Sequence, residues 1–273
     1  MNEFRRLLMA AGRQPPVGTW IVSASPLVAE AVGHAGFDFG VLDMEHSPLD
    51  LGSLVQLLQA VGNTRMLPVV RVPWNEPVMT KRVLDAGATT LLFPFVQSAE
   101  EATAAVAATR YPPQGRRGMA GISRATRYGT LPDFARTAND SLGVILQLET
   151  PAALDALDAI AAVPGVDALF IGPGDLAATM GWPGQAMHPQ VMDRMTRAAR
   201  RAAEIGMPMG TLGGTTQEVV QYRAAGFSYL ALGADLGLLV QGATSALRAL
   251  RGQSDDLEVH TLSEGTLPSP KGT

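Results

Sequence analysis

Short apolar runs and longer Ala-rich stretches alternate along the chain. The runs "GTWIVS" (18–23), "DFGVLD" (38–43), "LPVVRV" (67–72) and "TTLLFPF" (89–95) come first. They are followed by "GVILQLE" (143–149), "DALFIG" (167–172), "MPMGTL" (207–212) and "SYLALG" (228–233). Each is nearly continuous in apolar residues, which predicts a parallel strand covered on both faces. Between the runs the spacing predicts helices over Pro26–Ala35, Leu49–Val61, Glu76–Ala86, Ala99–Thr109, Pro151–Ala162, His188–Ile205, Thr216–Ala225 and Leu236–Leu250. Glycine stands where helices should stop, in "HAGFD", "DAGAT", "EIGMP" and "AAGFS". The Ala-Gly joint before strands two, four and eight reads as a repeated unit. Eight strands alternating with eight helices predict an α/β fold, a (β/α)8 barrel. A doubly wound open sheet is the rival, but no dinucleotide-binding glycine fingerprint follows strand one.

Two stretches break the pattern. Segment 111–141 is too long for an ordinary connection and carries five arginines. It is expected to be a functional loop at the barrel mouth plus a short helix. After Gly252 the chain turns polar and rich in Pro, Gly and Ser. One domain over 1–252 and a flexible tail over 253–273 are therefore expected.

Composition narrows the chemistry. Of 273 residues, 47% are hydrophobic, enough for a sizeable core without staples. The absence of cysteine excludes disulfides, thiolate metal sites and cysteine nucleophiles, and suits a reducing cytoplasm. A net charge of −4 with no basic stretch points away from a nucleic-acid partner. The apolar stretch between Arg6 and Gly12 is too short for a signal peptide. No run approaches the roughly 20 residues a membrane helix needs. Only Lys81 and Lys271 exist, one on a predicted helix and one in the tail, so Schiff-base chemistry is disfavoured. Carbanion chemistry in this chain would need a metal as the electrophile.

In a barrel, active sites lie at the C-terminal ends of the strands. Strand two ends in Asp43, Glu45 and His46, and strand three in Arg71. Strand five ends in Gln147 and Glu149, and strand six in "GPGD", Gly172 to Asp175. Trp20 and Leu212 end strands one and seven. His46 beside carboxylates is a candidate general base, or a loop histidine with local hydrogen bonds only. Arg71 needs an anionic partner, whether ligand or structural carboxylate. Glu149 and Asp175 from neighbouring strands would make an oxygen site for a hard divalent ion. Alternatively, Asp175 caps the following helix. Backbone N–H groups of "FIGPGDL" would suit a carboxylate or phosphate, and "TLGGTT" keeps a phosphosugar-binding barrel open.

The segments "FDFGVLDMEHSPLD", "PVVRVPWNEPVMTKRVLDAGATTLL", "RYPPQGRRG", "LQLET" and "IGPGDLAATMGWPG" resemble the HpcH/HpaI aldolase family, from about Gly18 to Leu250. The resemblance implies a barrel of the phosphoenolpyruvate/pyruvate type. It implies a metal-dependent class II pyruvate aldolase that cleaves a 4-hydroxy-2-oxo acid into pyruvate and an aldehyde, in aromatic-compound or sugar-acid catabolism. Carried over position by position, it makes His46 the base, within the catalytic cluster that includes Asp43. Arg71 becomes the stabiliser of the transition state, and Asp85 of "KRVLD" the residue that raises the basicity of His46. Glu149 and Asp175 would hold Mg2+, Mn2+ or Co2+, with no organic cofactor. Gln147 and the backbone from Gly172 through Gly174 to Asp175 would contact pyruvate, and Trp20 and Leu212 would face the aldehyde. Family members often carry Ala or Ser where Gly174 stands. The segment "TLGGT" departs from characterised members, so the aldehyde is not carried over. A homohexamer, a dimer of trimers with the last helix exchanged, is also implied. Two other outcomes are a CoA-thioester lyase of the citrate lyase β type, with Arg110, Arg116, Arg117, Arg124 and Arg127 lining a phosphate groove, and a non-catalytic binding protein.

Overall fold

The structure, a computed structural model, describes residues 1–12 and 14–252. The expected tail, 253–273, lies outside the described residues. Eight strands run β1 (Val17–Ile21), β2 (Phe39–Asp43), β3 (Leu67–Arg71), β4 (Thr90–Phe93), β5 (Gly143–Leu148), β6 (Ala168–Ile171), β7 (Met209–Gly213) and β8 (Tyr229–Ala234). All neighbouring pairs are parallel, and β8 pairs with β1 to close a barrel in chain order. Closure excludes the open sheet.

The helices are α1 (Glu3–Ala10), α2 (Pro26–His34), α3 (Leu51–Val61), α4 (Pro77–Asp85), α5 (Ala99–Thr109), α6 (Phe134–Ser141), α7 (Pro151–Asp155), α8 (Leu157–Ala161), α9 (Pro173–Thr179), α10 (Pro189–Glu204), α11 (Thr216–Ala225) and α12 (Asp235–Leu250). The single helix expected over Pro151–Ala162 breaks into α7 and α8 at Ala156, whose ψ of 5° leaves the helical basin. Gly226, φ 105°, ends α11 in the left-handed conformation that glycine adopts without a Cβ penalty.

Strand side chains alternate between two cores, which explains why the runs are apolar throughout. Leu42, Val70, Leu91, Val144, Leu146 and Ile171 pack outward beneath the helices. Phe39, Val41, Val69, Ile145, Phe170 and Tyr229 fill the barrel interior. The unanticipated helix α1 plugs the end where the strands begin. Asn2 caps it by accepting the Arg5 N–H, and Phe4 meets Tyr229 edge-on at 5.2 Å and Phe39 at 6.2 Å. The other end, where the strands finish, is left for polar groups.

Segment 111–141 contains the expected short helix, α6, but it is not at the mouth. It follows α5, which has already carried the chain back to the end where the strands begin. There it packs on the C-terminal end of α4: Arg117 pairs with Asp85 at 2.7 Å and Arg124 donates to the Ala86 carbonyl. Arg110 and Arg117 are buried. These arginines therefore form no groove at the strand C-termini.

Candidate active site

Register brings the first charged pair together. Asp43 and Arg71, the last residues of β2 and β3, are paired across the two strands. Arg71 donates from Nε and Nη2 to the two oxygens of Asp43 at 2.8 and 2.7 Å, a bidentate pair. Its Nη1 lies 2.7 Å from Glu45 Oε2. Burial disfavours the charged guanidinium, but the hydrogen-bonded Asp43, then Glu45 and Glu149, outweigh it and hold the Arg71 pKa above its ordinary value.

The chain turns sharply after β2 because Asp43 also organises it. Its Oδ1 accepts the N–H groups of Glu45 (3.0 Å) and His46 (3.5 Å), and the Ser47 hydroxyl donates to its carbonyl. The turn leaves the Glu45 carboxylate mostly buried and the His46 ring mostly exposed, with Nε2 3.9 Å from Glu45 Oε1. Burial pushes the Glu45 carboxyl up. Arg71 and His46 oppose the rise, while Asp43 and Asp175 add to it.

The second cluster comes from β5 and β6. Leu148 pairs with Ile171, so the next residues, Glu149 and Gly172, are neighbours. Glu149 is 2% exposed. Phe95, just past β4, donates its N–H to Glu149 Oε1 at 2.9 Å. It does so from a left-handed backbone, φ 55°, unusual for a non-glycine residue. Burial, then a hydrogen bond shared with the Asp175 carboxyl, pushes the Glu149 pKa up to about 8, against the Phe95 N–H that lowers it. Asp175 sits in the first turn of α9, whose cap is Gly172 without a side-chain bond, so it is not the N-cap residue. A side chain on Gly172 would collide with Glu149 Oε2 and come within 2.7 Å of Gln147 Nε2. Gln147 is buried, and its Oε1 has no protein partner.

A cavity of about 440 Å³ opens above these groups. Asp43, His46, Arg71, Gln147 and Asp175 line one side; Trp20, Val22, Phe170, Leu212 and Ala234 line the other. Arg71 Cζ lies 5.6 Å from the Trp20 ring centre, so the indole also braces the cation. Gly172 and Gly174 line the cavity too. Of the expected site residues, Glu149 lies just beneath this lining, against Gly172, and Asp85 lies elsewhere. It ends α4 at the far end of the barrel and engages Arg117. Within one chain it does not reach His46, because a residue at a helix C-terminus lies opposite the strand C-termini. Glu45 belongs to the expected cluster, but its contact with Arg71 gives it a place the sequence did not assign. Phe95 carried no sequence signal, since it acts through its backbone.

Asp43, Glu45, Glu149 and Asp175 face one arginine and one histidine, so the acids outnumber the cations. That arrangement suits a hard divalent cation between Glu149 and Asp175, since all the donors are oxygens. Among the described residues, no three His, Asp or Glu side chains form a complete cage. The remaining positions would fall to water or substrate oxygens.

A closed parallel barrel with this polar cluster at its strand C-termini is a (β/α)8-barrel enzyme. Residues 17–242 match the HpcH/HpaI aldolase/citrate lyase family. The chain belongs to that family and is an aldolase. It is 46% identical over 245 residues to 2-dehydro-3,6-dideoxy-6-sulfogluconate aldolase of Pseudomonas putida, covering 90% of this chain and 96% of that one. It is 44% identical to 5-keto-4-deoxy-D-glucarate aldolase of Salmonella arizonae, covering 88% and 93%. A crystal structure of an HpcH/HpaI aldolase/citrate lyase family protein from Burkholderia cenocepacia superimposes with a TM-score of 0.88 at 40% identity, covering 92% of this chain and all of that one.

Proposed function

We propose that this aldolase cleaves a 4-hydroxy-2-oxo acid reversibly into pyruvate and an aldehyde, with a divalent metal ion held by Glu149 and Asp175. The observation that carries the reading is the pair of carboxylates, buried Glu149 and cavity-lining Asp175, that meet near Arg71. When bound, the ion would supply positive charge to the oxygens of the 2-oxo acid, as a Lewis acid. Arg71, fixed by Asp43, stands where the enolate oxygen develops charge as the C3–C4 bond breaks. His46 takes the proton from the 4-hydroxyl, so that C4 leaves as the aldehyde carbonyl. The enolate then takes a proton at C3, from the His46 imidazolium or from water, which yields pyruvate. Gln147 and the backbone at Gly172 and Gly174 hold the acid end. Trp20, Val22, Phe170 and Leu212 form the wall for the aldehyde's carbon chain. The two named relatives fit this reading, because both are aldolases of deoxy keto sugar acids by name.

Arg117 and Arg124, engaged by Asp85 and the Ala86 carbonyl away from the cavity, count against the CoA-thioester reading. A homohexamer is part of the proposal. It is supported by the exposed apolar side chains of Leu236, Leu239, Val240, Leu247 and Leu250 along α12, a face suited to another copy of the chain. Light scattering of purified protein checks it, and a monomer would refute it.

The functional test is a panel of 4-hydroxy-2-oxo acids with pyruvate release coupled to lactate dehydrogenase. Activity is expected with Mg2+, Mn2+ or Co2+ and lost in EDTA. Full activity in chelator would overturn the metal, and no pyruvate from any substrate would overturn the reaction.

A further inference from the structure

We infer that Trp74 and Phe95 are positioning residues for the metal site. Their stacked rings keep the Phe95 peptide in the left-handed conformation from which its N–H fixes the Glu149 carboxylate, a role that rests on the proposed ion between Glu149 and Asp175 and says what holds the first of those acids still.

Phe95 donates its N–H to Glu149 Oε1 at 2.9 Å, and among the described residues it is the only backbone donor to this carboxylate. The other oxygen, Oε2, lies against Gly172, where no side chain intervenes. A single N–H therefore sets how the carboxylate is turned, and a hydrogen bond to an anion is among the stronger ones. That N–H is held in place against the preference of its own residue. Phe95 has φ 55°, where the Cβ of any residue but glycine is crowded. Such a residue persists there only when its surroundings over-determine it.

Two sets of contacts do so. Val96 donates its N–H to the Gln147 carbonyl at 3.0 Å, and Gln97 accepts from the Thr150 hydroxyl at 3.0 Å. These anchor the chain after Phe95 to the end of β5 and leave the ring to fix Phe95 itself. The ring stacks on the Trp74 indole, with centroids 5.8 Å apart and planes 25° apart. Trp74 is 55% exposed, so burial does not account for an indole at the barrel mouth. Its loop, between β3 and α4, is nevertheless braced on two helices. The Glu76 N–H donates to the Trp74 carbonyl at 2.9 Å, and the Glu76 carboxylate caps α4 through the N–H groups of Val78 and Met79. Asn75 Nδ2 reaches the Glu101 carbonyl on α5 at 3.0 Å. Neither Trp74 nor Phe95 lines the cavity. Their effect should therefore appear in cation affinity, because a carboxylate already turned toward its ion needs no ordering on binding.

The test measures Mn2+ affinity by titration calorimetry, without substrate. It compares wild type, Glu149→Gln, Phe95→Ala, Phe95→Gly, Trp74→Ala and the double variant Trp74→Ala/Phe95→Gly, with circular dichroism and melting to confirm folding. Phe95→Ala leaves the left-handed conformation unsupported and should weaken Mn2+ binding about tenfold. Phe95→Gly also lacks the ring but adopts that conformation freely, and should stay within about threefold of wild type. This order reverses the usual one, in which glycine loosens a site more than alanine does. Trp74→Ala, which removes an exposed side chain, should weaken binding about threefold or more, and should add nothing once Phe95 is glycine. Affinity is the readout because glycine and alanine also differ in the unfolded chain, which shifts melting. A folded Phe95→Ala protein with wild-type affinity overturns the inference. So does a Phe95→Gly protein that binds more weakly than Phe95→Ala, or a Trp74→Ala effect that persists in the glycine background. If wild type binds no Mn2+, or Glu149→Gln binds it as well as wild type, the proposed metal site falls and takes this inference with it. If binding needs Glu149 but ignores Phe95 and Trp74, the metal site stands and only the inference fails.

Discussion

Removing the charge from Glu149 should stabilise the metal-free protein in alkaline solution, although the same change should destroy its activity. Glu149 is buried, and its pKa stands at about 8 instead of the ordinary 4.5. As pH rises from 4.5, the unfolded chain gives up this proton while the native state keeps it, so unfolding becomes progressively easier. The stability present below pH 4.5 is lost across the window up to about 8 and stays lost above it. At roughly 1.4 kcal/mol per pH unit, the rise is worth about 5 kcal/mol as an upper bound. Relaxation and water entry around the carboxylate reduce it, leaving about 2–5 kcal/mol. Glu149→Gln keeps the shape and an acceptor for the Phe95 N–H but has nothing to titrate. In EDTA at pH 8.5, its urea midpoint should exceed that of wild type by about 1–2 M. At pH 5 the two midpoints should nearly coincide. Mn2+ should raise the wild-type midpoint at pH 8.5 and leave the variant unmoved. Titrating groups remote from Glu149 are common to both proteins and cancel in the comparison, which leaves Glu149 and the acids that face it, Asp175 and Glu45. Parallel pH dependence in the two proteins would show that Glu149 does not hold its proton in the fold, and the argument for a cation beside it would fail.

Other consequences follow from the same contacts. His46→Ala should lower kcat for cleavage by about 10²-fold with little effect on melting, since the ring is mostly exposed; an unchanged rate removes it as the base. Arg71→Ala strands Asp43 and Glu45, and should cost about 3–5 kcal/mol in denaturant titrations as well as activity. Arg71→Lys should recover part of the stability but not the rate, because an ammonium cannot make the bidentate pair. Gly172→Ala drives a methyl into the Glu149 carboxylate and the Gln147 amide. It should weaken Mn2+ binding measured by calorimetry at least tenfold; unaltered affinity would place the ion elsewhere.

How much of this was legible in the chain depends on whether a residue acts through sequence neighbours or through the closed barrel. The strands were readable because both faces of each are buried, so Val144 to Leu146 could be apolar throughout. The mouth was readable for the same reason in reverse: polar residues ending apolar runs, such as Asp43, Arg71 and Glu149, have no other place to go in a barrel. Helix α1 was not readable. Its eight residues carry a single fully buried side chain, Phe4, and that side chain finds its partners, Phe39 and Tyr229, only after the barrel has closed. Segment 111–141 was misplaced for a related reason: its length and arginines say "loop", but the direction of α5 decides which end of the barrel it serves. Asp85 lies away from His46 within one chain. The string "KRVLD" matches, yet the helix carries its aspartate away from the histidine of the same chain, whereas Glu45, one residue from His46 and overlooked as a participant, is held against Arg71 by the turn that Asp43 makes. Proximity at this site was therefore set by one Asx turn and one strand register. A pattern of residue types encodes the register well, through the apolar runs, and encodes the turn only weakly.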